Sequence, residues 1–134
     1  MPEGNVHFQT TRPRMDQTPA YHPGRHLLAD LYDAVRLTDA AEIEASLKEA
    51  AQAAGATILM SHLHVFQSSG GVTGMVLLAE SHISIHTWPE HGFAAVDVFM
   101  CGEARAEAAL EVIRAALGAG RMVVRREVRG AELT

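Results

Sequence analysis

The chain has 134 residues, a formal net charge of −5, one cysteine and 48% hydrophobic residues, which suits a single domain with its own apolar core and leaves too little for two. The net negative charge argues against a nucleic-acid binder, which needs a basic face to neutralise phosphates, and a lone cysteine excludes an internal disulfide and fits a reducing compartment. No apolar run reaches the length of a membrane span and the N-terminus lacks a signal-peptide core, so a cytoplasmic protein without membrane contact is expected.

Residues 1–23 carry Pro2, Pro13, Pro19 and Pro23 with almost no apolar pattern. They bury too little to offset the entropy of ordering and read as a flexible tail, leaving 24–134 as one domain. Arg25 to Val35 is apolar enough for a strand, although its Leu and Ala content leaves a helix open. Asp39 with Glu42 resembles a capping pair, and Ile43, Leu47, Ala50 and Ala54 recur at spacings of 4, 3 and 4 before Gly55. That pattern predicts an amphipathic helix. Ala56 to Phe66, Val72 to Ala79, His82 to Thr87 and Phe93 to Met100 are parted by Gly-, Ser- and Pro-containing breaks and read as strands. Ala106, Leu110, Ile113 and Leu117 repeat the helical spacing before Gly118 and Gly120. Arg121 to Val128 supplies a last strand, and Arg121, Arg125, Arg126 and Arg129 read as its solvated face rather than a phosphate site.

Two one-faced helices bury their stripes together only against one side of such a sheet. The expected fold is therefore α+β, a two-layer α/β sandwich with a mainly antiparallel sheet and two helices on one face. The sheet's other face needs its own cover, which in a chain this short falls to a second protomer.

Eight histidines invite a metal site. His82 and His86 have the spacing of zinc ligands on a helix, but Ile83, Ile85 and Thr87 are β-branched and Pro89 follows. The segment is therefore a strand on which His82, Ser84 and His86 share one face. No acidic residue or second thiol stands at ligand spacing, so no metal is expected. Cys101 ends a strand instead of opening a helix, where a thiolate would be stabilised, and no nucleophile motif surrounds it. Taken alone it reads as a small buried hydrophobe.

The order of Glu80, Ser81, His86 and Cys101 within ESHISIHTWPEHGFAAVDVFMCG closely resembles the bacterial and archaeal S-adenosylmethionine decarboxylase proenzymes. The resemblance extends to GRHLLADLY (24–32), GATI (55–58) and GVTG (71–74) and on to the final strand. It implies an α/β sandwich protomer, a dimer of αβ protomers forming a heterotetramer, and production of decarboxylated S-adenosylmethionine for spermidine biosynthesis. It also implies self-cleavage between Glu80 and Ser81 into a β chain of residues 1–80 and an α chain of residues 81–134.

By resemblance, the Ser81 hydroxyl attacks the Glu80 carbonyl to form an ester, which needs a strained turn and a stabilised oxyanion. His86 is the proton acceptor in processing, removing the Ser81 α-proton, and hydrolysis of the resulting dehydroalanine leaves a covalently bound pyruvoyl group. In turnover the substrate amine forms a Schiff base with that group, and Cys101, as a neutral thiol, is the proton donor to carbon. Thr73 stands where the family usually has a serine that assists maturation. Phe66 matches the aromatic that stacks on adenine and Glu90 the carboxylate that holds the ribose hydroxyls; core packing at a strand end accounts for Phe66 equally well. Ser81 and His86 have opposite strand parity, so the turn at the cleavage site is expected to bring them together.

Met100 stands where a threonine is common, His91 where a tyrosine is common, and the loop QSSGG (67–71) is one residue longer than usual. These departures are expected to flank the pocket. They keep open an arginine or ornithine decarboxylase on the same scaffold, and an unprocessed, non-enzymatic homologue stands as a third reading. Phe66 and Glu90 favour the nucleoside substrate, since a basic amino acid has neither an adenine nor a ribose.

Overall fold

A computed structural model of the chain describes residues 4–10 and 24–133. Strand β1 (Asn5–Thr10) is followed by β2 (Gly24–Tyr32), helix α1 (Ala40–Ala53), β3 (Ile58–Val65), β4 (Val72–Leu78) and β5 (Ser81–Trp88). A single 3-10 turn (Pro89–His91) leads into β6 (Phe93–Met100), helix α2 (Ala106–Ala116) and β7 (Arg121–Arg129). The strands form one sheet in the order β1-β7-β2-β6-β5-β4-β3. The β1–β7 pair is parallel and the other pairs are antiparallel, so the expected α+β class with a mainly antiparallel sheet is found.

Both helices form where the apolar spacing predicts them. The Asp39 carboxylate caps α1 by accepting from the Glu42 backbone N–H at 3.1 Å, and Gly55 takes the positive φ of 78° that lets the chain leave it. Ile43, Leu47, Ala50 and Ala51 of α1 and Ala106, Ala109, Leu110 and Ile113 of α2 are buried. Small alanines on those faces allow close approach, and the helices touch one another as well as the sheet: α1 against β3 and β4, α2 against β2 and β6.

Period-two burial aligns the strands. In β5, Ser81, Ile83, Ile85 and Thr87 are buried and His82, Ser84 and His86 half-buried; in β6, Ala94, Val96, Val98 and Met100 are buried and Phe93, Ala95, Asp97 and Phe99 half-buried. One face of the sheet thus joins the helices in the core, while the other is polar at its centre and exposes Met60, Met75, Leu77 and Trp88.

The reading of 1–23 as a tail is corrected over Asn5–Thr10, which pair with β7 from Arg121 to Arg126. An edge strand of this kind is held by backbone hydrogen bonds, which leave no apolar periodicity to read, with half-buried Val6 packed against the core. Residues 1–3 and 11–23 of that tail lie outside the described residues.

Leu47 is completely buried between helix and sheet, whereas Val35 is 49% exposed. Leu47→Ala is expected to lower stability by about 2–5 kcal/mol in urea unfolding, and Val35→Ala by no more than about 0.5 kcal/mol.

Candidate active site

Leu78 and Ser81 face each other across β4 and β5, so the connection is the two-residue turn Ala79-Glu80. Such a tight hairpin calls for a left-handed residue, ordinarily glycine or asparagine. Here Glu80 takes that conformation, with φ at 65°, a strain of about 1–3 kcal/mol for a side chain of this kind. The buried Ser81 Oγ accepts a hydrogen bond from the Cys101 backbone N–H at 3.3 Å, and the Cys101 thiol donates to the Glu80 carbonyl oxygen at 2.7 Å. Cys101 therefore holds both the hydroxyl and the carbonyl oxygen of the strained Glu80-Ser81 junction. Beside it, a cleft of about 460 Å³ opens between the end of α1 and the start of α2, lined by Gly55, Thr57, Ala79, Ser81, Cys101 and Arg105 among others. Arg105 pins the two helix ends together, its backbone N–H bonding to the Ala54 carbonyl at 3.0 Å and its guanidinium to the Ala53 carbonyl at 3.4 Å.

A second group lies on the opposite face, toward the other end of the sheet. Thr73 and His86 are cross-strand partners, and Thr73 Oγ1 lies 3.1 Å from His86 Nδ1. Next to Thr73, a Cβ on Gly74 would come within 2.6 Å of Leu63 Cγ, so glycine is what lets the Leu63 side chain of β3 lie across β4. Trp88 packs 6.3 Å from the His86 ring and 5.3 Å from Phe93. Phe66, just beyond β3, is 47% exposed, which removes the core-packing alternative within its own chain. Glu90 is exposed in the 3-10 turn, which ends at Gly92 with φ at 59°.

The expectation that the turn brings Ser81 to His86 is corrected. β5 is regular from Ser81 to Trp88, with β4 paired along one side and β6 along the other. Five residues of such a strand span about 16 Å, with side chains on opposite faces. The expected site residues thus fall into two separate groups, candidate half-sites: Glu80, Ser81 and Cys101 at one end, and Thr73, His86, Phe66 and Glu90 toward the other. The expectation for Met100 is also corrected, because its side chain is fully buried in the core and does not flank the cleft.

Between the half-sites lies a polar group that the sequence reading missed. His26 Nε2 is 3.2 Å from Asp97 Oδ1, and Ser84 Oγ donates to Asp97 Oδ2 at 3.4 Å. His82 stacks on Phe99 with centroids 5.7 Å apart, and His26 meets the same ring edge-on. The signal was the shared parity of His26, His82, Ser84 and Asp97, which becomes a cluster only once strand order and register are known. Burial holds the His82 pKa below 6.5, helped by the neighbouring His26 and opposed by Asp97. Among the described residues no three His, Cys, Asp or Glu side chains assemble as a metal-binding group, and no helix is long and apolar enough to cross a membrane.

Comparison with known proteins fits this geometry. The family described as S-adenosylmethionine decarboxylase matches residues 25–130. The S-adenosylmethionine decarboxylase proenzyme of Prochlorococcus marinus (strain MIT 9313) is 50% identical over 99 residues, covering 72% of this chain and 78% of its own. That of Pseudomonas paraeruginosa (strain DSM 24068 / PA7) is 46% identical over 110 residues, covering 80% of this chain and 68% of its own. The crystal structure of the adenosylmethionine decarboxylase from Aquifex aeolicus superposes with a TM-score of 0.75 at 41% identity, covering 83% of this chain and 93% of that one.

The depressed His82 pKa has a measurable consequence. Below about pH 6.5 the unfolded chain takes up a proton that folded His82 resists, so this histidine's contribution to stability is full above that pH and falls as pH drops toward the folded pKa. His82→Phe keeps a ring stacked on Phe99 and removes the titration. Its loss of stability between about pH 7.5 and pH 5.5 in urea unfolding is expected to be smaller than that of the unaltered protein; equal losses would remove His82 from the account.

Proposed function

The chain belongs to the S-adenosylmethionine decarboxylase family, and from that premise we propose that it is a cytoplasmic, self-processing enzyme that decarboxylates S-adenosylmethionine through a pyruvoyl group made from Ser81. The observation that carries this reading is Cys101 holding both reacting groups of the strained Glu80-Ser81 peptide. Retention of Phe66 and Glu90 as exposed groups near one end of the sheet supports a nucleoside substrate over arginine or ornithine.

Maturation begins when Ser81 Oγ attacks the Glu80 carbonyl carbon. The negative charge that develops on the Glu80 oxygen meets the Cys101 thiol hydrogen, while the Cys101 N–H keeps the Ser81 oxygen in line. Release of the left-handed strain at Glu80 favours departure from the planar amide. The proton lost by the Ser81 hydroxyl passes to the amide nitrogen, the bond from Glu80 carbon to that nitrogen breaks to leave a free amine, and Ser81 Oγ now carries Glu80 as an ester. Removal of the Ser81 α-proton by a base then expels the Glu80 carboxylate, which ends the β chain at residue 80. Water replaces the amine as ammonia and leaves a ketone at the start of the 54-residue α chain (134 minus 80). Once present, the pyruvoyl group supplies the electron sink for loss of carbon dioxide from the substrate. The Cys101 thiol, at the edge of the cleft, delivers the proton that the substrate carbon then needs.

The base is His86, and because β5 holds it about 16 Å from its own Ser81, it comes from a second copy. In a two-fold pair packed face to face through the open side of the sheet, the Thr73–His86 end of one protomer lies over the Ser81–Cys101 end of the other and approaches the Ser81 α-carbon from the face opposite its side chain. The same packing covers Met75, Leu77 and Trp88, which a lone protomer leaves exposed. It completes a layered arrangement, with helices on one face of each sheet and the partner's sheet on the other. Thr73 orients the His86 imidazole through its hydroxyl, and Phe66 and Glu90 bring the nucleoside to the partner's ketone.

Intact mass of the purified protein is expected to show two chains split at residue 80, and Ser81→Ala a single chain of 134 residues. An uncleaved unaltered protein would sink the enzyme reading. With cleaved protein, carbon dioxide release is expected from S-adenosylmethionine and not from ornithine or arginine. Cys101→Ala is expected to slow cleavage by on the order of tenfold or more, as for loss of an oxyanion donor, and to impair turnover as well. His86→Ala expressed alone is expected to stay uncleaved but to be cut when co-expressed with Ser81→Ala, whose intact His86 serves the partner. Failure of that rescue, with mixed dimers demonstrated, would return His86 to its own chain.

A further inference from the structure

Although Phe66 is exposed, its backbone is fixed on both sides: its N–H bonds to the Gly71 carbonyl at 2.8 Å, and its carbonyl accepts from Gly70 N–H at 2.7 Å. Its ring has one close aromatic neighbour. The His64 imidazole meets it edge-to-face, with centroids 4.8 Å apart and planes at 80°. His64 lies on the open face of β3 opposite Thr73, which in turn pairs with His86. His64, Thr73 and His86 thus form a rank across three adjacent strands, with Phe66 at its outer end.

We propose that His64 is a positioning residue for nucleobase recognition: it holds the Phe66 ring in one orientation, as a ready-made platform on which the adenine of the substrate stacks. The proposal rests on the S-adenosylmethionine reading above. An exposed phenyl ring with no neighbour samples several rotamers, and a ligand that needs one of them must bear the cost of ordering it. An edge-to-face partner removes that cost in advance, because aromatic pairs have a preferred geometry. Whichever of the two rings offers its edge, at least one face of the phenyl is left uncovered by His64 and open to a planar base. Thr73 beside His64 keeps this platform in register with the His86 end of the site. His64 is itself exposed and bears on none of the buried core, so its replacement leaves the fold in place.

The test compares His64→Ala with His64→Phe, which restores an aromatic edge at the same point. Both variants are expected to cleave as completely as the unaltered protein by intact mass. His64→Ala is expected to raise KM for S-adenosylmethionine about three- to tenfold, the equivalent of one aromatic pair, with kcat within about twofold; His64→Phe is expected to return KM most of the way. A binding readout independent of turnover is the fluorescence of Trp88, the only tryptophan, titrated with 5′-methylthioadenosine. Its apparent Kd is expected to move in parallel with KM. An unaltered protein inert toward S-adenosylmethionine would overturn the decarboxylase reading and this inference with it. An active protein whose His64→Ala variant keeps its KM and Kd, or whose His64→Phe variant is no better than Ala, would overturn the inference alone.

Discussion

Strand β5 is hydrogen-bonded along both sides, to β4 and to β6, and this double ladder is the constraint on which the rest of the site depends. It fixes Ser81 at the start of the strand on the core face and His86 farther along on the other. A loop would have let the two residues meet; a central strand cannot. In the proposed mechanism the chemistry is consequently divided into halves, and the open sheet face is the surface through which a second copy would join them. Apolar side chains around the polar centre of that face and the division of the site are two aspects of one arrangement.

Within the first half, the work is concentrated on Cys101. β6 ends at Met100, and the next residue turns its backbone N–H to Ser81 and its thiol to Glu80. In the proposed mechanism this one residue serves the peptide before cleavage and the substrate afterwards. The sequence reading separated those two periods and assigned Cys101 to the later one only. The contact of the thiol with the Glu80 carbonyl supports joining them, since the proposed ketone would form at the same junction.

What could be read from the chain follows from which forces leave a periodic trace. Ile43, Leu47, Ala50 and Ala54 disclose α1 because burial repeats with the helical turn, and the alternation of Ile83 and Ile85 with polar neighbours discloses β5 in the same way. β1 escaped notice because an edge strand is held mainly by its backbone, and backbone bonds are available to almost any sequence. For Ser81 and His86 the parity was legible and pointed to opposite faces, but the conclusion that a turn would repair it failed, since the turn lies at Ala79-Glu80 and the strand is regular thereafter. Met100 looked like a pocket residue from its place beside Cys101, yet the pleat sends the two side chains to different surroundings. The His26, His82, Ser84 and Asp97 group needed three strands to be set in register before it existed at all.

Strand order also governs how the two products of the proposed cleavage would relate to one another. β1, β2, β3, β4 and α1 fall in the fragment before Ser81, while β5, β6, β7 and α2 fall in the fragment after it. In the sheet, β7 of the second fragment is wedged between β1 and β2 of the first, and β6 and β5 lie between β2 and β4. The pieces are interdigitated like the fingers of two hands, so each keeps only one strand pair of its own, β3 with β4 and β5 with β6. With the proposed cleavage, folding would have to be finished while the polypeptide is continuous, and the nick would come last, in a sheet already held by pairing between the two fragments.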